Sequence, residues 1–262
     1  MLNLSELTDK VRALAIEAGD FIREERKKFH REAIEKKHAH DYVSYVDKES
    51  EKKIVTRLKE LLPEAGFIAE EGSGTLNDEQ YCWLVDPLDG TTNFIHDNAP
   101  YCVSIALRSK KELLLGVVYE ISRNECFWTY KGAPSYLNGN EIHVSAISNL
   151  DDSFIALGFP YATEEYKPMA NHLVNTLYGN VAGLRLMGAA AVELCYIAAG
   201  RFEARIEAFI GPWDIAAGTI ILQNAGGMIT DFKGGDSCSS GSQVLASNGR
   251  IHRDLLNIID NL

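Results

Sequence analysis

The 262 residues contain no CxxC pair, no internal repeat and no low-complexity tract, and each absence removes a class of protein. The five cysteines, Cys82, Cys102, Cys126, Cys195 and Cys238, are odd in number and widely spaced. That spacing argues against a disulfide framework or a zinc site and for reduced thiols in a cytoplasmic protein. No segment approaches the ~18 uninterrupted apolar residues of a membrane span, so no membrane partner is expected. The opening Met1-Leu2-Asn3-Leu4-Ser5-Glu6-Leu7 lacks the basic and apolar regions of a secretion signal, which again leads to the cytoplasm. Positive charge is also scarce. With 26 Lys and Arg against 37 Asp and Glu, the formal charge is −11, and nucleic acid held by phosphate neutralisation is not expected. A small phosphorylated partner stays open, because bound cations reverse the local sign of an acidic cleft.

What is present suits a folded globular chain: 46% of residues are hydrophobic and 24% charged. Leu4, Leu7, Val11, Leu14, Ala18, Phe21 and Ile22 recur at helical spacing. The basic stretch from Arg23 to Lys28 follows, and then His30, His38 and His40 in a polar region that reads as a solvated loop. Asp47 opens a second helical pattern that stops at Pro63. Strand-like runs occupy 67–69, 82–85, 103–107, 113–119 and 125–130, and Asn138-Gly139-Asn140 signals a turn. Residues 1–145 form one expected α+β half and residues 146–262 a second, α/β half of one compact unit. In the second half, 154–157 and 183–186 read as strands and 169–177 as a helix. A small-residue helix follows Gly188 and ends at Gly200, and Pro212 suits a helical first turn. Residues 228–232 and 243–246 read as strands before a closing helix. The mixture fits a two-part α+β or layered α/β architecture.

The chemistry concentrates in Trp83-Leu84-Val85-Asp86-Pro87-Leu88-Asp89-Gly90-Thr91-Thr92-Asn93-Phe94. Asp86 follows an apolar strand and is expected at its end, inside the fold, where an unpaired carboxylate is costly. Two carboxylates this close suit a hard cation such as Mg²⁺ or Mn²⁺, and the Leu88 carbonyl between them is a further candidate ligand. A helix or tight turn beginning at Gly90-Thr91-Thr92 offers free N–H groups to a phosphate. The competing reading is a plain helix start, with Asp89 as N-cap and Gly90 as a turn residue. Glu70-Glu71-Gly72 is a second source of carboxylates or an exposed turn. Asp214, in Gly211-Pro212-Trp213-Asp214, reads equally as a first-turn aspartate favoured by the helix dipole.

Taken together, Ala69-Glu70-Glu71-Gly72, the run Trp83 to Phe94, and Gly211-Pro212-Trp213-Asp214-Ile215-Ala216-Ala217-Gly218 resemble the inositol monophosphatase family. Gly188-Ala189-Ala190-Ala191 and Ala225-Gly226-Gly227 add to the likeness, which spans nearly the whole chain. The family consists of lithium-sensitive, Mg²⁺-dependent phosphatases. The resemblance implies a layered αβαβα sandwich of the inositol monophosphatase and fructose-1,6-bisphosphatase type, and a homodimer. It makes Glu70, Asp86, the carbonyl of Leu88, Asp89 and Asp214 ligands to two or three Mg²⁺ ions. It gives Glu70, and Thr91 backed by Asp47, the task of activating water. Gly90 and Thr91 match the phosphate-contacting turn. Asp89, Asp214, Gly188, Ala190, Glu207 and Arg185 match positions around the substrate, the last two being equally readable as a surface or interface ion pair.

The reaction implied is hydrolysis of a small phosphate monoester by direct water attack with inversion. No covalent route is expected, on the reading that the DxDx(T/V) and Cys-x5-Arg patterns are absent. Thr92-Asn93-Phe94 is similar to the inositol-phosphate branch rather than to the Lys-Glu-Phe of 3′-phosphoadenosine phosphatases. Myo-inositol 1-phosphate is thus the first substrate expected, with fructose 1,6-bisphosphate, histidinol phosphate or a 3′-phosphoadenosine nucleotide as alternatives. A regulatory binding protein on the same fold is the reading from a different class.

Overall fold

The computed structural model describes residues 2–30, 34–38, 41–74, 80–110, 112–160, 163–236 and 243–260. In chain order its first elements are α1 (Leu4–Arg26), β1 (Ile34–His38), β2 (Asp41–Ser44), α2 (Tyr45–Leu61), β3 (Ala65–Ala69), β4 (Tyr81–Asp89) and α3 (Thr91–Ile95). Next come β5 (Cys102–Ser109), β6 (Leu113–Glu120), β7 (Glu125–Tyr130), β8 (Ser135–Leu137), β9 (Asn140–Ile142) and β10 (Phe154–Leu157). The chain closes with α4 (Thr163–Leu177), β11 (Gly183–Arg185), α5 (Ala190–Ala198), β12 (Ala204–Ala208), α6 (Pro212–Asn224), β13 (Met228–Thr230), β14 (Gln243–Ser247) and α7 (His252–Ile259).

Strands β3 to β9 form one sheet in sequence order, parallel only between β3 and β4. The second sheet runs β11-β10-β12-β14-β13, with β10 parallel to both its neighbours. The two sheets and the helices stack in five layers. The outer face of the large sheet carries α1 and α2, which bury Val11, Ile22, Ile54 and Leu58 against Trp83, Ile105 and Val117. Its inner face packs on α5 and α6, which in turn touch the small sheet. On the far side, α4 and α7 close a third core around Leu173, Ile206 and Leu255. This is the expected αβαβα sandwich. All strands of the large sheet precede residue 145 and all strands of the small one follow it, yet α5 and α6 belong to the second half and pack on the first half's sheet.

Four local expectations are corrected. The polar region around His38 is no loop: β1 pairs antiparallel with β2, because backbone pairing needs no apolar side chains. His40 lies outside the described residues, as does Cys238. Helix α4 begins at Thr163 rather than near residue 169; Pro168 sits inside it, where its missing N–H forfeits one bond early in the helix. Helix α2 starts at Tyr45, with Ser44 as its cap, and Asp47 is the third helical residue. Finally, β12, which has no strand signal in the sequence reading, runs through the centre of the small sheet.

Candidate active site

Strand β4 does not end at Asp86 as expected. Pairing with β5 continues to Asp89 opposite Cys102, with a register shift between Asp86 and Asp89. The irregularity lets both carboxylates leave the strand toward one cleft, of about 680 Å³. Glu70, Asp86, Leu88, Asp89, Gly90, Thr91, Gly188, Ala190, Glu207 and Asp214 all line it. Asp47 stands behind Thr91. Arg185 does not face the cleft: it is exposed, lies 4.5 Å over the Phe154 ring, and donates from Nη1 to the Leu184 carbonyl at 2.8 Å.

Each acid is held by a different local device. Glu70 follows β3 in a turn whose amides are gripped from below. Glu51, buried on α2 one helical turn after Asp47, accepts Glu71 N at 2.7 Å and Ser73 N at 2.9 Å. Asp86 accepts the Leu88 amide at 3.0 Å. Asp214 lies in the first turn of α6 and accepts the Gly211 amide at 2.7 Å. Asp89 is not the N-cap of α3; that position is Gly90, without a side-chain bond. Its carboxylate instead accepts Ala190 N at 3.1 Å and Ala191 N at 2.7 Å, so the positive end of α5 faces it from the other half of the molecule.

Gly90 is required twice over. Its φ is +89°, in the left-handed region, and a Cβ there would lie 2.9 Å from the Pro100 carbonyl oxygen and 3.2 Å from that of Gly188. Thr91 Oγ1 donates within a fork, with Asp47 Oδ1 at 2.8 Å and the Leu88 carbonyl at 3.0 Å. Asp47 also accepts the Ser44 amide at 2.8 Å and its hydroxyl at 2.7 Å. Burial nevertheless pushes the Asp47 carboxyl above its ordinary range.

The electrostatics of the cleft are unbalanced. Burial, and then repulsion from Glu70, Asp89 and Asp214, pushes Asp86 well above a normal carboxylate. Burial and the nearby Asp214 raise Asp89 to about 7. Burial and Glu70 raise Asp214 to about 6. Among the described residues, no three acidic, histidine or cysteine side chains are already gathered around a single ion position. The carboxylates share one cavity and would close on a guest by side-chain rotation. An all-oxygen donor set whose own charges repel fits a hard divalent cation, the chemistry that Mg²⁺ or Mn²⁺ satisfies.

One sequence expectation fails outright. Cys102-Val103-Ser104-Ile105-Ala106-Leu107-Arg108 does have the Cys-x5-Arg spacing. It is an extended strand rather than a phosphate loop, however, which sets Cys102 and Arg108 roughly 20 Å apart. The Cys102 thiol is fully buried, and burial followed by Asp89 and Asp86 pushes its pKa well up. A thiolate nucleophile is not available there.

Several residues that shape the site have no individual role in the sequence reading. Asn93 Nδ2 donates to the Pro100 and Met187 carbonyls, each at 2.7 Å, and ties the two cleft loops together. Glu193 and Arg205 form a buried ion pair under the same loop. Glu51 is the exception, since its i+4 spacing from Asp47 on an otherwise apolar helix face could have revealed it.

Fold and cleft together define a layered α/β sandwich with a buried carboxylate cluster between its halves. The chain belongs to the inositol monophosphatase family, whose sequence pattern matches residues 3–261. It is 39% identical over 225 residues to the Nus factor SuhB of Pasteurella multocida, covering 85% of this chain and 84% of that one. Among solved structures, the extragenic suppressor protein suhB of Bartonella henselae superposes with a TM-score of 0.88 at 33% identity, over 94% of this chain and 95% of that chain. The inositol monophosphatase of Anabaena (Nostoc) sp. PCC 7120 gives 0.89 at 30% identity, over 100% and 98%.

Proposed function

We propose that this chain is a Mg²⁺-dependent phosphatase of small monoesters, with myo-inositol 1-phosphate as its first substrate. One observation carries the reading: buried Asp86 and Asp89 and half-buried Asp214 share one cleft with Glu70, and mutual repulsion among these acids adds to burial in raising all three aspartate pKa values, a repulsion that a divalent cation relieves. Glu70, Asp86, the Leu88 carbonyl, Asp89 and Asp214 would hold two or three Mg²⁺ ions, with Mn²⁺ as a substitute. When bound, the metal supplies an acidified water and charge stabilisation on the ester oxygens.

The chain's own residues do the rest. The single Thr91 hydroxyl proton is spent on Asp47 or Leu88, which leaves the oxygen's lone pairs to accept from an attacking water. A proton taken up by Thr91 can pass to Asp47 Oδ1, whose raised pKa suits it to receive one. Glu70 lines the same cleft and is the second group able to orient that water. Gly90 and Thr91 open α3 at the cleft and present backbone amides to the phosphate. Gly188, Ala190 and Glu207 border the space left for the alcohol, whereas Arg185 lies outside it and has no direct part in binding.

The test is phosphate release from inositol 1-phosphate with and without Mg²⁺, beside fructose 1,6-bisphosphate, histidinol phosphate and a 3′-phosphoadenosine nucleotide. Turnover that requires Mg²⁺ and is strongest on inositol 1-phosphate is expected, with inhibition by millimolar Li⁺. No turnover on any ester would sink the reading. Action in the cytoplasm as a homodimer completes the proposal. Among the described residues, no helix is long and apolar enough to cross a membrane. A second reading, a binding role beside catalysis, is favoured by the 39% identity to a protein named as a Nus factor. It predicts that a catalytically dead variant keeps its partner in a pull-down.

A further inference from the structure

Arg205 is the one lysine or arginine among the described residues that line the cleft, and the reaction above leaves it unused. It is 3% exposed and lies on β12 two residues before Glu207. The two side chains therefore leave the strand on the same face, while Ala204, Ile206 and Ala208 point into the core under α4 and α7. Arg205 Nε is 2.7 Å from Glu193 Oε2 on α5. Its Nη2 is paired with Glu207 Oε2. Nη1 is buried without a hydrogen-bond partner, and Nε, though ion-paired with Glu193, is not hydrogen-bonded to it either.

The guanidinium thereby joins two parts of the site. Glu193 Oε1 accepts the Met187 amide at 3.0 Å and the Gly188 amide at 3.2 Å, fixing the loop that delivers the Ala190 and Ala191 amides to Asp89. Burial pushes the Glu193 carboxyl up, and Arg205 is the strongest influence pulling it back down. Glu207 is confined between Arg205 and Gly158, where any Cβ would collide with the glutamate side chain. One cation set between two carboxylates leaves the wall with a net charge of −1, which disfavours a second anionic group. A fixed acceptor beside an orphan donor instead reads a hydroxyl in both its roles: Glu207 accepts the proton and Nη1 donates to the oxygen.

We infer that Arg205 is a positioning residue that sets specificity, holding Glu207 so that the cleft selects phosphorylated polyols with a free hydroxyl beside the ester. This rests on the phosphatase reading. The test compares wild type, Arg205→Met and Arg205→Lys on inositol 1-phosphate and on phenyl phosphate, which has no hydroxyl to read. Arg205→Met is expected to lower kcat/KM for the inositol ester about tenfold or more, mainly through KM, the scale of one lost hydrogen bond. Phenyl phosphate turnover should change by less than about threefold over the same comparison. Arg205→Lys should fall between, since an ammonium keeps the charge but cannot fork to both carboxylates. If Arg205→Met fails to fold, Arg205→Lys carries the same comparison of substrates. An equal fall on both esters, or no fall on either, would overturn the inference. A wild type inactive on both esters with Mg²⁺ would overturn the phosphatase reading instead.

Discussion

Two buried charged regions face each other across the cleft, and they are built on opposite rules. At the end of β4 the acids are gathered without a fixed cation, and Asp86, Asp89 and Asp214 have raised pKa values. On β12 the acids come with their own counter-charge, Arg205 standing between Glu193 and Glu207. An uncompensated cluster is unstable until a guest arrives, whereas one that carries its own counter-ion is rigid beforehand. On the function proposed above, the first region would take the metal and the second would shape the alcohol pocket.

The largest effect expected from breaking this contrast is at Asp89. Asp89→Asn removes one of the repelling charges while keeping an oxygen for one of the two α5 amides. Mg²⁺-dependent kcat should fall by roughly 10² or more, as when a main electrostatic group is deleted. The metal-free protein should melt at or above the wild-type temperature, since a destabilising charge is gone. A variant with near-normal kcat would break the ligand assignment, and a strongly destabilised one would break the claim that this cluster is uncompensated.

Next in size is Gly90→Ala. The left-handed backbone and the two carbonyl oxygens around a Cβ at that position predict a cost of roughly 1–3 kcal/mol, measurable by denaturant unfolding, with reduced turnover because the Asp89–Thr91 turn must shift. Smaller again is Glu51→Gln. Its amide oxygen replaces only part of the carboxylate's grip on the Glu71 and Ser73 amides. The Glu70 turn loosens, and the Mg²⁺ concentration for half-maximal activity should rise a few-fold, on the order of 1 kcal/mol, while kcat at saturating Mg²⁺ stays close to wild type.

How far the sequence alone discloses these regions follows from the same contrast. The β4 cluster was legible because its parts are contiguous: Asp86, Leu88, Asp89, Gly90 and Thr91 lie within six residues behind an apolar strand. Asp47 and Asp214 came only through resemblance, yet the structure puts Asp47 2.8 Å from Thr91 and Asp214 in the same cleft. The β12 region was hidden. Arg205 and Glu207 alternate with Ala204, Ile206 and Ala208 as any half-exposed strand would, and nothing local says the charged face is buried against α5. Likewise, the partner of Asp89 is a helix terminus 101 residues away, a contact set by layer stacking that no periodicity encodes. Arg185 was misplaced for the converse reason, because closeness in sequence to Gly188 did not mean facing the cleft.

The smallest effect is in pH, and it sharpens the comparison most directly. A carboxyl whose folded pKa lies above its ordinary 3.8 binds more protons in the folded than in the unfolded chain, so unfolding free energy falls as pH rises between the two values. Asp214 at about 6 and Asp89 at about 7 give a contribution that is full below pH 4 and lost as pH rises through 6 to 7. His252 has the opposite sign. Buried between Thr230 and Ser247, its folded pKa is lowered to about 4 from 6.5, so its contribution is full above 6.5 and lost as pH falls from 6.5 to 4. In EDTA the melting temperature should therefore rise on acidification from pH 8 and keep rising below pH 6.5, less steeply than the two carboxyls alone would give, because His252 opposes them there. Saturating Mg²⁺ should abolish that rise, because the cation replaces the protons, and so uncover the fall below pH 6.5 that His252 alone gives. Asp89→Asn should weaken the rise and leave the His252 contribution unchanged. A flat EDTA profile between pH 6.5 and 8 would mean that the β4 cluster is as well neutralised as the Glu193–Arg205–Glu207 wall, and the distinction between the two regions would fail.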